Sequence, residues 1–212
     1  MTQFNPDCRR CPRLVSHLQE VKENHPEYHA KPVAPFGDEQ SDLLIVGLAP
    51  GMHGANATGR PFTGDYAGII LYETLFQFGF ANKPVSEHKK DGLRLIKCRI
   101  TNAVKCLPPG NKPVGEEINA CNPYLAAEIN ALAAGVVILA LGTIAHKATI
   151  KAMRLKQNDH QFGHGHLHAL AQERWLLDSY HCSRYNTQTG RLTRKMFHEI
   201  FMKIHEVLKI NN

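Results

Sequence analysis

Four apolar runs of strand length, each set apart from the next by a segment of helical or turn character, constrain the fold of this chain more than any other feature. They are Asp42-Leu43-Leu44-Ile45-Val46-Gly47-Leu48, Cys98 to Val104, Gly135 to Leu141 and Trp175 to Tyr180. Unbroken apolar runs mark strands buried on both faces, the habit of parallel sheets. The intervening segments carry helical spacing: Ala67 to Phe78, Gly115 to Ala134, a stretch from about Ile144 with Thr143 as its cap, and a last helix from about Arg191 to Ile210. Strands that alternate with helices pair in parallel through right-handed crossovers. The pattern therefore predicts a three-layer α/β/α sandwich around a central, mostly parallel four-stranded sheet, with ligands at the carboxyl ends of the strands. Lys31 to Ser41, with two prolines, reads as loop, and Gln157 to His168 as a polar loop or ragged hairpin. No internal repeat and no Pro-, Gly- or Ser-rich linker divides residues 1–212, so one domain is expected.

A chain of 212 residues with 43% hydrophobic and 21% charged residues has enough apolar surface for a real core, which excludes wholesale disorder and a coiled-coil rod. No window holds about 18 uninterrupted apolar residues. The start has neither a basic nor an apolar targeting region, so a soluble, cytoplasmic protein without membrane contact is expected. Lysine and arginine number 25 against 19 acidic residues, a net charge of +6, which favours polyanionic partners. Six cysteines without an export signal argue for metal binding or chemistry over a disulfide framework. Cys8 and Cys11 have ligand spacing, and Cys106 and Cys121 lie 15 apart. A zinc ribbon ordinarily brings two Cys-x-x-Cys knuckles and this chain has one. Spacing alone leaves zinc and an iron–sulfur cluster both open.

Three segments follow predicted strands: Gly47 to Gly54, Thr101 to Cys106, and Ser179 to Arg184. In a parallel sheet all three converge on one edge, so His53, Asn102 and His181 are expected to share a cleft. The first continues through the Gly-rich stretch Thr58-Gly59-Arg60-Pro61-Phe62-Thr63-Gly64-Asp65, and the third through Tyr185 to Thr193. Taken in order, the Gly-Leu-Ala-Pro segment at Gly47, the Thr-Gly-Arg and Phe-Thr-Gly-Asp elements and the His181 loop resemble the iron–sulfur uracil-DNA glycosylases, within them family five (type B). The likeness runs from Cys8 to about Phe197.

This resemblance implies a monofunctional hydrolase of base excision repair that acts, as a monomer, on DNA carrying uracil and other deaminated bases such as hypoxanthine. It implies a structural [4Fe–4S] cluster on Cys8, Cys11, Cys106 and Cys121, leaving Cys98 as a small buried hydrophobe. Excision requires an extruded nucleotide, and the resemblance gives Phe62 the stacking role. Asn102 offers a carbonyl to uracil N3–H and an amide to O4, an order that cytosine reverses. Asp65 matches the acid that activates water or steadies the sugar cation, and it is equally suited to cap the helix that starts near Tyr66. His181 matches the donor to the leaving base, and His53 is an assistant at the base or at a phosphate. The backbone amides from Gly51 to Gly54 face base or water. Ser183, Arg184 and Arg191 are candidate DNA contacts. Leu48 stands where the related type-A enzymes carry an acid, which shifts the burden to Asp65. Gly51 replaces the family's usual Ala, and Cys182 its Pro. No lysine is placed for Schiff-base chemistry, so lyase activity is not expected.

Two other readings are weighed against this one. A catalytically idle iron–sulfur or zinc protein would bind DNA damage without releasing a base. A hydrolase of free nucleotides would need a phosphate-binding signature that the chain lacks. The histidines at 160, 164, 166 and 168 alternate with glycine and fit a flexible surface loop better than a metal site.

Overall fold

The structure, a computed structural model, describes residues 4–210. Its sheet holds β1 (Phe36–Gly37), β2 (Leu43–Gly47), β3 (Cys98–Asn102), β4 (Val137–Leu141), β5 (Leu167–Ala169) and β6 (Trp175–Ser179), in the order β1-β3-β2-β4-β6-β5. The four expected strands are β2, β3, β4 and β6, and they pair in parallel. The expected count of four is corrected to six by two short antiparallel strands, β1 on β3 and β5 on β6, which close the two edges. β1 falls inside the segment read as loop, where flanking prolines hide a pairing only two residues long.

Every residue of β2 and β4 is buried, because helices cover both faces. Leu43, Ile45, Ile100, Leu139 and Leu177 pack on one face against α3 (Tyr66–Gln77) and α7 (Arg194–Ile210), through Leu71, Leu75, Phe197, Phe201 and Ile204. Leu44, Val46, Ile138 and Leu176 pack on the other face against α4 (Gly115–Asn130) and α5 (Thr143–Ala152). Each fully buried aliphatic contributes about 1.5–3 kcal/mol, so the two cores fix the strand register and with it the positions of the loops at the strand ends. No helix is long and apolar enough to cross a membrane among the described residues.

Three further elements sit outside the sandwich. α1 (Pro12–Asn24) follows the Cys8–Cys11 turn and buries Leu14, Leu18 and Val21. The one-turn helix α2 (Ala55–Thr58) lies inside the Gly-rich loop, and α6 (Arg184–Gln188) inside the segment after His181. The last helix begins three residues later than expected, at Arg194. Thr143 does not cap α5 with its side chain. The N-cap is Gly142, at φ +93°, a conformation that glycine adopts at no steric cost.

Candidate active site

The chain passes from β2 to β3 on one side and then crosses back over β2 to β4 on the other. The loops leaving β2 and β4 therefore diverge, opening the crevice that such a reversal makes at the carboxyl ends of parallel strands. A cavity of about 410 Å³ occupies it, lined by Leu48, Gly51, Phe62, Asp65, Asn102, Gly142, His181 and Ser183 among others. Residues from Leu48 to Ser183 thus meet at one sheet edge, as expected for Asn102 and His181.

Phe62 is presented by a strained and braced turn. Its φ of +54° is in the left-handed region, which costs a residue with a Cβ about 1–3 kcal/mol. Three contacts hold it there. The Tyr72 hydroxyl donates to the Pro61 carbonyl at 2.7 Å. Gly68 leaves room for the Phe62 carbonyl, since a Cβ on Gly68 would stand 1.8 Å from that oxygen. Arg60 donates to Thr63 Oγ1 at 2.9 Å and grips both carboxylate oxygens of Asp91, at 3.0 and 2.5 Å. Burial would raise the Asp91 carboxyl, but Arg60 and the backbone N–H groups of Leu93, Glu87 and His88 hold it well below the usual carboxylate range.

Asn102 ends β3 and is 3% exposed, and its Oδ1 has no hydrogen-bond partner. A buried amide oxygen left unpaired costs about 1–3 kcal/mol, which a ligand N–H in the cavity would recover. The backbone at Asn102 is fixed by Lys105, a buried ammonium that donates to the Asn102 carbonyl at 3.0 Å, to Glu128 at 2.7 Å and to Thr101 Oγ1.

Asp65 is half-buried and does cap α3, accepting from the Gly68 N–H at 3.0 Å through Oδ1. Its other oxygen, Oδ2, faces the Gly51–Gly54 backbone: a Cβ on Gly54 would lie 2.6 Å from it, and one on Gly51 3.6 Å. Burial pushes the Asp65 carboxyl up, opposed by the Gly68 and Ala67 backbone donors. Capping and an acid role at the cavity are therefore compatible, one oxygen for each. The 3.6 Å at Gly51 is ordinary contact, so the alanine usual in the family would fit there too.

The His181 ring lies 5.9 Å from that of Phe62, at 25° to it. Its carbonyl accepts from Asn186 Nδ2 at 2.8 Å, and Ser183 caps α6 by accepting from Asn186 N–H at 3.4 Å, so the start of α6 anchors the loop. Burial pushes the His181 imidazole down to about 4, which leaves it neutral near pH 7. Cys182 is fully buried in the core, where burial raises its thiol, so it fills space and is not poised to react.

His53 is placed differently from the expectation. It is exposed and does not line the cavity, and its Nδ1 is 2.8 Å from the Tyr28 hydroxyl. It lies between Gly51 and Gly54, the two residues that approach Asp65, and is itself turned outward. Arg184 and Arg191 are exposed outside the cavity, over the rings of Tyr66 and Tyr180. Sequence reasoning missed Tyr185, which is 71% exposed beside Ser183, and the rim formed by Asn111, Thr143 and Ile144. A large aromatic in a polar segment was the available signal for Tyr185.

Cys8, Cys11, Cys106 and Cys121 come together around a small, mostly apolar cavity with Leu14, Val104 and Tyr124. All four are free thiols, and Cys98 is buried elsewhere at the start of β3. Arg13 of α1 binds Glu117 of α4 at 2.7 and 2.8 Å, fastening the Cys8–Cys11 turn to the helix that carries Cys121. Burial and then the neighbouring sulfurs push Cys106 up to about 12, and burial with Cys121, Glu117 and Cys8 pushes Cys11 up to about 11. Four thiolates there need a cationic centre. The Lys105 backbone N–H already points at Cys121 Sγ at 3.3 Å. Among the described residues, the one group of three ligand atoms within 4.8 Å of one another is elsewhere in the molecule. A single tetrahedral zinc, with bonds of about 2.3 Å, would hold its sulfurs only about 3.8 Å apart. A [4Fe–4S] cluster, which gives each thiolate its own iron, is the other centre that four thiolates can hold.

The fold is a doubly wound α/β arrangement with an aromatic, an amide, an acid and an imidazole gathered at its switch point. Residues 34–205 match the family model described as the uracil DNA glycosylase superfamily. The chain is 47% identical over 201 residues to the type-5 uracil-DNA glycosylase of Thermus thermophilus, covering 92% of this chain and 91% of that protein. It is 43% identical to that of Mycobacterium leprae (92% and 88% covered) and 40% to that of Pyrobaculum aerophilum (93% and 87%). The chain belongs to the uracil DNA glycosylase superfamily.

Proposed function

We propose that this chain is a monofunctional DNA glycosylase that excises uracil from DNA by hydrolysis, leaving an abasic site. The observation that carries the reading is the unpaired, buried Asn102 Oδ1 in a cavity shared with Phe62, Asp65 and His181. The everted base stacks on Phe62. Asn102 accepts from N3–H and donates to O4. As the bond from C1′ to N1 breaks, its electron pair passes to the base, and neutral His181 donates an N–H to O2, where negative charge grows. A water oxygen bonds to C1′ and its proton passes to Asp65, whose raised pKa makes it the better base. The carboxylate also steadies the sugar cation in the transition state.

The four cysteines Cys8, Cys11, Cys106 and Cys121 hold a [4Fe–4S] cluster in this reading. Bond hydrolysis transfers no electron, so the cluster serves to tie the N-terminal turn to the loop after β3 and to α4. Ser183, Arg184, Arg191 and the exposed Tyr185 meet the DNA. Its flat ring suits the gap left by the everted base. His53 and Tyr28 lie outside the cavity and suit a phosphate. The cavity is lined by residues of one chain, which supports action as a monomer. The reading extends to other deaminated bases such as hypoxanthine. Duplex carrying one uracil, incubated with the protein as purified and then treated with alkali, should be cut at that position. An uncut duplex with salt-sensitive binding would favour an idle damage sensor instead.

A further inference from the structure

Asp178 of β6 is fully buried, on the sheet face covered by α5 and away from the cavity and the cysteines. Its Oδ1 lies 2.7 Å from His146 Nδ1 of α5, and its Oδ2 lies 3.1 Å from His168 Nε2 of β5. These three side chains bring their ligand atoms within 4.8 Å of one another. Nothing in base excision uses them.

The hydrogen bonding around them is revealing. His146 Nε2 is 2.8 Å from the His160 carbonyl. A carbonyl only accepts, so Nε2 carries the ring proton and Nδ1 of the neutral ring turns a lone pair toward a carboxylate oxygen. Two lone pairs at 2.7 Å repel, so at this distance a second ring proton lies between them. Burial disfavours that proton, but the Asp178 carboxylate holds it and raises the His146 imidazole; a metal ion bound to both atoms would take its place as the pair opens. An imidazole whose far nitrogen donates to a backbone carbonyl is the usual outer contact of a metal-bound histidine. The carboxylate has its own, from the Gly163 N–H to Oδ2 at 3.3 Å. His168 is the most exposed of the three at 12% and offers a way in, and the His160 ring stands 5.6 Å from it.

We propose that His146, His168 and Asp178 bind one divalent transition-metal ion, zinc by preference, which pins the His-rich segment 157–169 to the edge of the sheet. Two imidazoles and one carboxylate suit zinc and its neighbours and disfavour calcium and magnesium, which seek oxygen donors. Tetrahedral zinc with bonds of about 2.1 Å separates its ligand atoms by about 3.4 Å. The Asp178–His168 pair at 3.1 Å is close to that already, and the Asp178–His146 pair at 2.7 Å needs to open by less than 1 Å. The two imidazole nitrogens, within 4.8 Å of one another, close onto the ion. The inference is independent of the glycosylase reading.

The test is calorimetric titration of Zn²⁺ into the protein as purified, its cysteine site undisturbed, after dialysis against chelator. One Zn²⁺ should bind per chain and raise the Tm. His168→Ala and Asp178→Asn should each weaken binding by at least ~10-fold, while His166→Ala, at an exposed neighbour, should leave it intact. Asp178→Asn removes a buried charge and risks misfolding; His168→Ala, checked by its melting curve without zinc, carries the test alone if needed. No uptake by the wild-type protein, or uptake unchanged in His168→Ala, would overturn the proposal. The latter result would assign the zinc to other ligands.

Discussion

Gly47 and Asn102 are partners in the register of β2 and β3, and a Cβ on Gly47 would stand 2.4 Å from Asn102 Oδ1 and 2.7 Å from Phe62 Cζ. The absence of a side chain at this one strand end lets the amide and the aromatic ring approach across the floor of the cavity. Gly47→Ala should therefore displace both. Stability should fall by about 1–3 kcal/mol, the usual cost of overpacking, and single-turnover release of uracil should fall by at least ~10-fold, because small misplacements at a reacting centre are costly. Denaturant titration and quenched-flow assays check the two effects separately; wild-type rates in the variant would remove Asn102 and Phe62 from the site.

Asp65 does two jobs that one substitution separates. Asparagine is as good an N-cap as aspartate, so Asp65→Asn should keep α3 and lose the acid, lowering the single-turnover rate by about 10²-fold or more. The pKa is raised by burial, so the folded protein holds this proton more tightly than the unfolded chain does. Ionising Asp65 therefore costs stability above its folded pKa, and that cost disappears as pH falls through it. At pH 7 the asparagine variant should be at least as stable as wild type in thermal melts. A clear loss of stability with full activity would leave Asp65 as a cap alone.

His181 has the opposite sign for its type. Its folded value of about 4 lies below the ordinary 6.5 because burial disfavours the charged ring. Between those two values the unfolded chain binds more protons, so His181 makes the protein lose stability as pH falls from about 6.5 toward 4. The rate should hold down to mildly acid pH and then drop as Asp65 and His181 protonate, with an acid limb above the ordinary carboxylate range. His181→Gln, which cannot protonate, should flatten the stability loss in that window. A limb centred at the usual imidazole value would contradict the neutral-donor role.

Much of this was legible because it rests on local pattern. The buried runs at Leu43 to Gly47 and Val137 to Leu141 announce parallel strands, and parallel strands place Asn102 and His181 at one edge whatever the details. The edge strands are legible only in part: the ragged-hairpin reading of Gln157 to His168 anticipates the antiparallel β5 on β6, whereas β1 lies in a segment read as loop. Phe36–Gly37 and Leu167–Ala169 are strands only because β3 and β6 offer unpaired backbone beside them. The cap of α5 fell to Gly142 instead of Thr143 because its left-handed turn follows from where β4 ends, close to His181. His53 illustrates the same limit: spacing puts it in the right loop, but only the fold of Gly51 to Gly54 around Asp65 decides that its ring faces outward. The histidines after Gln157 looked like a flexible surface segment, because their anchor, Asp178, lies on another strand.

The exposed contacts should report on DNA. Arg184→Gln should weaken binding about equally for all sequences and reduce the salt dependence by about one unit of slope. Tyr185→Ala should slow excision more from duplex than from single-stranded DNA, where no stack has to be filled. Equal losses on both substrates would make Tyr185 a simple surface contact.

The cysteine site predicts four iron and four sulfide per chain, with an absorption shoulder near roughly 400 nm. Cys106→Ser should abolish the shoulder and lower the Tm, whereas Cys98→Ala should keep the shoulder intact. Zinc in place of iron, with no shoulder, would assign the other metal.

The most direct measurement is release of free uracil in a single turnover, with protein in excess over duplex carrying a single U·G pair. Wild type should liberate one uracil per duplex and leave an alkali-labile site without strand scission, and Asn102→Ala should do so at least ~10²-fold more slowly. Tight binding with no uracil released, or equal rates in the two proteins, would contradict the account.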